Sequence, residues 1–275
     1  MAFADLSLEK LVRYRPAVAE PDDFDDFWHH TLTEARGYDL DMLSEEVSTP
    51  YRTVTVRDVS FSGYAGDRIS AWLTTPRGID GPLPAVVEFV GYGGGRDLPG
   101  ASLWWASAGY AHLLMDSRGQ GSAWGGGGDT DDPHGSGPSA PGVMTRGVEH
   151  PDTYYYRRLM TDAVRAVDAV RSLPEVASDS VSVQGISQGG GLALAAAGLI
   201  PDLVAVMPGN TGSRRVLTFC YRAVLLKISL SPATDVPRGK LPLALSDLPV
   251  EELVRYQLFL IAGAASIKTR ERCPP

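Results

Sequence analysis

The sequence predicts a doubly wound α/β domain with a mostly parallel sheet and an antiparallel start, and three patterns carry that prediction. Short, dense apolar runs flanked by turn formers, Ala85 to Val90 and Ala111 to Asp116, have the look of buried parallel strands. Helical and strand-like stretches then alternate: Tyr154 to Leu173, Val181 to Val183, Gly189 to Leu199 and Val204 to Val206. Ahead of them, Tyr51 to Thr75 alternates with period two around a turn at Gly63 to Gly66, as an antiparallel pair would.

The elements follow in order. Pro21 and the acids Asp22, Asp23, Asp25 and Asp26 precede or open a stretch in which Phe24, Phe27, Trp28 and Leu32 share one helical face. A helix over 21–36 is expected there, as part of an N-terminal arm spanning about 1–36. Leu103 to Ala106 reads as a helical stretch between the two buried strands. The Gly/Pro/Asp-rich run from Arg118 to Gly147 is too long for an ordinary connection, and such loops tend to serve a function or cover a partner. In the helix from Tyr154, Leu159, Ala163, Val167 and Val170 fall on one face.

At 275 residues and 44% hydrophobic, the chain can bury a full-sized core, and one domain is expected. A formal charge of −8 opposes nucleic acid and anionic membrane as partners. A small neutral or cationic molecule fits better. The two cysteines, Cys220 and Cys273, suggest neither a disulfide framework nor a zinc site. Asp5 and Glu9 interrupt the region where an export signal would need a basic start and an apolar run, so the cytoplasm is the expected compartment. No uninterrupted apolar run reaches the roughly 18 residues of a spanning helix.

Gly185-Ile186-Ser187-Gln188-Gly189 carries the chemistry. A Gly-x-Ser-x-Gly pattern arises readily by chance in a chain with 30 glycines, so its setting has to support it. Here it joins the expected strand at Val181 to the expected small-residue helix, where a sharp turn would raise the Ser187 hydroxyl above the sheet edge. Acyl transfer also needs two donors for the oxyanion, usually the amide after the nucleophile and one from a loop after an earlier strand. Gln188 would supply the first. Gly91-Tyr92-Gly93-Gly94-Gly95 follows the strand at Ala85 and offers the Tyr92 amide as the second; the alternative is a glycine turn without a chemical role. A phosphate cradle fits poorly, because no Gly-Lys-Ser/Thr follows the loop.

Five motifs taken together resemble the acetyl xylan esterase/cephalosporin C deacetylase family, carbohydrate esterase family 7 of the α/β-hydrolase superfamily. They are Gly91 to Arg96, Asp116 to Ser122, Pro141 to Gly147, Thr153 to Arg158 and Gly185 to Gly191, in order within residues 1–208. The resemblance implies a serine esterase that removes acetyl groups from small acetylated sugars, xylo-oligosaccharides or cephalosporin C. It implies no metal and no other cofactor, and a homo-oligomer, commonly a hexameric ring. By the same resemblance Ser187 is the nucleophile and the Tyr92 and Gln188 amides form the oxyanion hole. Arg118, Gly119 and Gln120 match the family's Arg-Gly-Gln signature and would support the site; a plain surface turn is the other reading. Tyr154 to Arg158 is expected to start a helix and pack against a subunit rather than act in catalysis.

The pattern breaks after Ser187. Triad partners in this fold follow the nucleophile, yet the five histidines, His29, His30, His112, His134 and His150, all precede it. Of these, His112 is expected in the core, His150 at a helix start, and His134 in the long loop. Asp202, Asp235 and Asp247 follow Ser187 but have no histidine to orient. Composition flips as well: residues 209–275 hold ten Lys/Arg against five Asp/Glu, residues 1–208 fifteen against twenty-eight. The α/β-hydrolase core is therefore expected over 1–208, with an atypical C-terminal segment of the same domain over 209–275, as a frameshift or substitution near Gly209 would leave it. A catalytically impaired relic and a broader carboxylesterase or peptidase stand as alternative functions.

Overall fold

The computed structural model describes residues 21–79, 81–135 and 142–209. The order of elements is α1 (Phe24–Arg36), β1 (Leu43–Glu46), β2 (Val54–Ser62), β3 (Arg68–Pro76), β4 (Leu83–Phe89), α2 (Trp104–Ser107), β5 (Ala111–Met115), α3 (Tyr155–Arg171), β6 (Val176–Ile186), α4 (Gln188–Leu199) and β7 (Val206–Gly209). Short 3-10 turns at Tyr64–Gly66 and Val143–Thr145 complete it. Residues 1–20 of the expected arm and the segment from 210 onward, including Asp235 and Asp247, lie outside the described residues.

The strands form one seven-stranded sheet in the order β1-β2-β3-β5-β4-β6-β7. β1, β2 and β3 are antiparallel neighbours and β3 meets β5 antiparallel, whereas β5, β4, β6 and β7 run parallel. This is the expected antiparallel start on a parallel body, and with its helices it makes an α/β-hydrolase fold. β1 was not expected: all four of its residues are exposed, so no apolar alternation marks it. β6 starts at Val176, earlier than its apolar core at Val181, and β7 lies two residues later than the apolar run at Val204 suggested.

Alternating side chains divide between the two faces of the sheet. In β5, Ala111, Leu113 and Met115 join the main core, and Leu114 joins a smaller cluster with Val54, Val56, Trp72, Val90 and Ala106 on the other side. The main core is closed by α1, α3 and α4. α1 buries Phe24, Trp28, Leu32 and Ala35, has acids in its first turn and Arg36 in its last, and is tied to α3 by Arg36–Asp168 at 3.0 Å. α4 is different in kind. Its sequence QGGGLALAAAGL has no polar stripe, and Leu192 to Ala196 are all buried; small side chains let it close on β6 and β7. Among the described residues no helix is long and apolar enough to cross a membrane.

Register places the site. Phe89 of β4 pairs with Met115 of β5 and with Gly185 of β6, which in turn pairs with Pro208 of β7. The C-terminal ends of four parallel strands therefore lie along one edge, where open α/β sheets hold their ligands. The segments after them, Gly91 to Gly95, Asp116 to Gln120 and Ser187, must meet there.

Candidate active site

Ser187 has φ 58° and ψ −118°, one of four non-glycine residues with positive φ among the described ones. Such a conformation costs roughly 1–3 kcal/mol and persists only where its surroundings enforce it. Here they do. The Ser187 amide donates to the Gly209 carbonyl at the end of β7 (2.9 Å), and its carbonyl accepts from Gly191 in the first turn of α4 (3.1 Å). Both flanking glycines are sterically required. A Cβ on Gly185 would strike the Gly189 backbone, and one on Gly189 would strike the Phe89 carbonyl oxygen. Strand, turn and helix thus pass within backbone contact, leaving Ser187 half-buried and Ile186 64% exposed at the rim.

The loop after β4 is fastened on several sides. Gly93 (φ 81°) donates its amide to Gln120 Oε1 at 2.6 Å and accepts at its carbonyl from Ala123 (3.1 Å). The Tyr92 carbonyl accepts from Trp124 Nε1 (2.8 Å), and its hydroxyl accepts from the Gly142 amide (2.9 Å). Arg96, 5% exposed, closes the loop by pairing with Asp58 and Asp129 and lying 4.0 Å from the Trp72 ring centre.

Gln120 joins this loop to the turn at Ser187. Its Nε2 donates to Gln188 Oε1 (3.1 Å) and to the Tyr155 hydroxyl (2.7 Å), while Gln188 Oε1 also accepts from the Tyr156 hydroxyl (2.9 Å). Tyr155 in turn donates to the Arg118 carbonyl (2.6 Å). Burial raises the hydroxyl pKa of Tyr155 and of Tyr156, so both stay protonated donors at neutral pH. The Tyr154 hydroxyl, pushed up to about 12 by burial, donates to the Met144 carbonyl. The cluster from Tyr154 starts α3, as expected, and two of its hydroxyls also reach the site.

Arg118 is fully buried and acts as a girder. Its guanidinium grips Asp162 on α3 through two bonds (2.5 and 2.8 Å), Asp67 beside β3 (2.9 Å) and Asp132 in the long loop (3.3 Å). These acids keep it protonated despite burial. Gly119 (φ 64°) turns the chain between girder and Gln120. The Arg-Gly-Gln triplet is thus an anchor, a turn and a reach, not a surface turn. Asp116, which opens the second motif but carried no expected role, is a further anchor: fully buried, it accepts from the amides of Arg96 (3.0 Å), Ser117 (3.0 Å) and Asp129 (2.6 Å). Burial outweighs these bonds and raises its carboxyl above the ordinary value.

Asp132 shifts the other way. Burial would lift its carboxyl, but hydrogen bonding and charge from Arg158, with the charges of Arg118 and Arg146, hold it below the ordinary 3.8. A group that ionises more readily in the folded chain adds stability above its unfolded pKa, near 4, and that stability is lost as pH falls through the folded value. The urea midpoint of the chain is therefore expected to fall between about pH 5 and pH 3, and less steeply in Asp132→Asn. Parallel slopes would refute the assignment.

Three of the histidines are held by carboxylates. His112 is buried in β5 opposite Val86, with Nε2 2.9 Å from Glu88 Oε2; Val86 lies three residues before Phe89, roughly 10 Å down the strand from the edge. His134 contacts Asp67 (2.7 Å) and meets the Tyr64 ring edge-on. His150 is exposed beside Asp152, and His29 and His30 are exposed on α1. Among the described residues no histidine is hydrogen-bonded to Ser187. Asp202 is an exposed surface acid paired with Arg171 at 3.0 Å.

Known proteins resemble this chain in sequence and fold. The acetyl xylan esterase (AXE1) family profile matches residues 1–217. An acetyl esterase of Xylanibacter ruminicola is 32% identical over 204 residues, 71% of this chain and 45% of that protein. The acetyl xylan esterase from Paenibacillus sp. R4 superposes with a TM-score of 0.67 at 37% identity, over 74% of this chain and 64% of that one. Acetyl xylan esterase 1 from Thermoanaerobacterium sp. JW/SL YS485 superposes with a TM-score of 0.69 at 28% identity, over 94% and 80%. The chain spans less than half the length of the curated relative. With a profile match over most of its length and these relatives beside it, the chain belongs to the acetyl xylan esterase family.

Proposed function

We propose that this chain carries a serine deacetylase site acting on small acetylated sugars. The observation that carries the reading is the strained Ser187 turn at the sheet's C-terminal edge, coupled through Gln120 to the loop bearing Tyr92. In the proposed reaction Ser187 Oγ bonds to the acetyl carbon, and the carbonyl oxygen takes the charge between the Tyr92 and Gln188 amides. The ester C–O bond then breaks, the proton from Ser187 leaves with the sugar hydroxyl, and water releases acetate from the acetyl-enzyme. The small acetylated substrate is supported by the family's name and by the resemblance described from the sequence, and a homo-oligomeric assembly by that resemblance alone. A broader carboxylesterase would use the same site.

One observation favours a second reading, a relic that keeps the fold without the chemistry: no histidine follows Ser187 in the sequence. Loss of the triad histidine costs about a millionfold in kcat, leaving roughly 10³ to 10⁴ over water. Turnover of p-nitrophenyl acetate is expected to exceed that of Ser187→Ala, and a fluorophosphonate is expected to label the parent at Ser187. Equal turnover and no labelling would favour the relic.

A further inference from the structure

We propose that Trp124 is a stacking platform for the pyranose ring of the acetylated sugar; this rests on the deacetylase reading and names the surface that would receive the alcohol part of the ester. The indole lies on backbone where side chains are missing. A Cβ on Gly94 would run into its six-membered ring, and one on Gly91 would sit 3.4 Å from Trp124 Cζ2, 3.4 Å from the Ile186 carbonyl oxygen and 4.0 Å from Ser187 Cβ. The ring edge and the serine side chain therefore flank the same glycine.

The ring's orientation is fixed and its polar atom is spent, because Nε1 donates to the Tyr92 carbonyl at 2.8 Å. What stays open, with the residue 52% exposed, is aromatic carbon. Leaving half an indole in water forgoes a large hydrophobic gain, since a Trp can bury about 150–250 Å². An acetyl methyl group is too small to cover it. A pyranose is not: one of its faces is lined by C–H bonds, which suit the negative face of an aromatic ring. Ile186, 64% exposed beside the nucleophile, extends the same apolar rim. A loop staple alone would need the hydrogen bond to Tyr92 but not the open face, and the two roles separate by experiment.

Affinity for peracetylated methyl xyloside is measured by calorimetric titration of the full chain in a Ser187→Ala background, so that the ester survives, with Trp124→Ala, Trp124→Leu and Trp124→Phe. The rate of Ser187 labelling by a small methyl fluorophosphonate is measured with the serine in place. Affinity should fall about tenfold in Trp124→Ala and Trp124→Leu and within about threefold in Trp124→Phe, which keeps a ring but loses the bond to Tyr92. Labelling should fall by a similar factor in all three, because each loses the bond from Nε1 to the Tyr92 carbonyl, and so should not follow affinity. The leucine variant keeps bulk over the glycines should the alanine variant fail to fold. Unchanged affinity, an equal fall in all three, or labelling that falls in proportion to affinity would overturn the platform. A tenfold drop in affinity in a chain that never labels would uphold the platform and remove the nucleophile; normal labelling with unchanged affinity would remove the platform alone.

Discussion

Arg118→Leu should destabilise the chain by about 3–5 kcal/mol, the cost of removing one partner from a buried ion cluster. The effect comes less from the lost cation than from the acids left behind. Asp162 and Asp132 have side chains at 0% and 1% exposure, and Asp162 loses both bonds of its fork. Arg158 still holds Asp132, so the expected damage centres on Asp162. Urea denaturation followed by circular dichroism gives the magnitude, and Arg118→Lys should recover less than half, because a single ammonium cannot reproduce the fork. Pairing Arg118→Leu with Asp162→Leu supplies a sharper check. The double variant should be more stable than Arg118→Leu alone, since an apolar pair is tolerated where a lone buried charge is not. If the double variant is less stable by the sum of both single losses, the cluster is not acting as one unit.

Gln120→Ala should slow the labelling of Ser187 by a fluorophosphonate about a hundredfold, with a much smaller effect on stability. Its Oε1 takes the Gly93 amide, and its Nε2 holds Gln188 Oε1 and Tyr155. Removing it frees the loop carrying Tyr92 from the turn carrying Gln188. Loss of one oxyanion donor in a serine hydrolase costs about 10² to 10³ in rate. Gln120→Glu keeps the acceptor for Gly93 and loses the donor to Gln188, so it should fall between parent and alanine. Gln120 is a positioning residue on this view, and an expected signature is a change in rate rather than in substrate affinity. A variant that labels as fast as the parent would show that the two segments hold their places unaided.

How much of this was legible in sequence depended on distance along the chain. The Ser187 turn is local: five residues between an apolar strand and a run of glycine and alanine state the geometry, and φ 58° at Ser187 agrees. The Arg-Gly-Gln triplet was visible as a motif, but its work was not, because Arg118 finds Asp67 and Asp162 51 and 44 residues away. Nothing in the order of residues ties those acids to it. Trp124 sits among glycines whose conformations carry no periodicity, so its place over Gly91 and Gly94 emerges only when two loops meet. Tyr155 and Tyr156 illustrate a third case. An aromatic pair at a helix start reads as packing, which it is, and only coordinates reveal that both hydroxyls face Gln120 and Gln188. β1 escaped notice for the opposite reason, its Leu-Ser-Glu-Glu being exposed throughout and held by backbone pairing with β2 and an exposed ion pair between Glu46 and Arg77.

A crystal structure of the chain after phosphonylation tests the central geometry most directly. The phosphonyl oxygen should lie about 2.7–3.1 Å from the Tyr92 and Gln188 amide nitrogens, with phosphorus bonded to Ser187 Oγ. Density on another residue, or an oxygen turned toward solvent away from both amides, would contradict it.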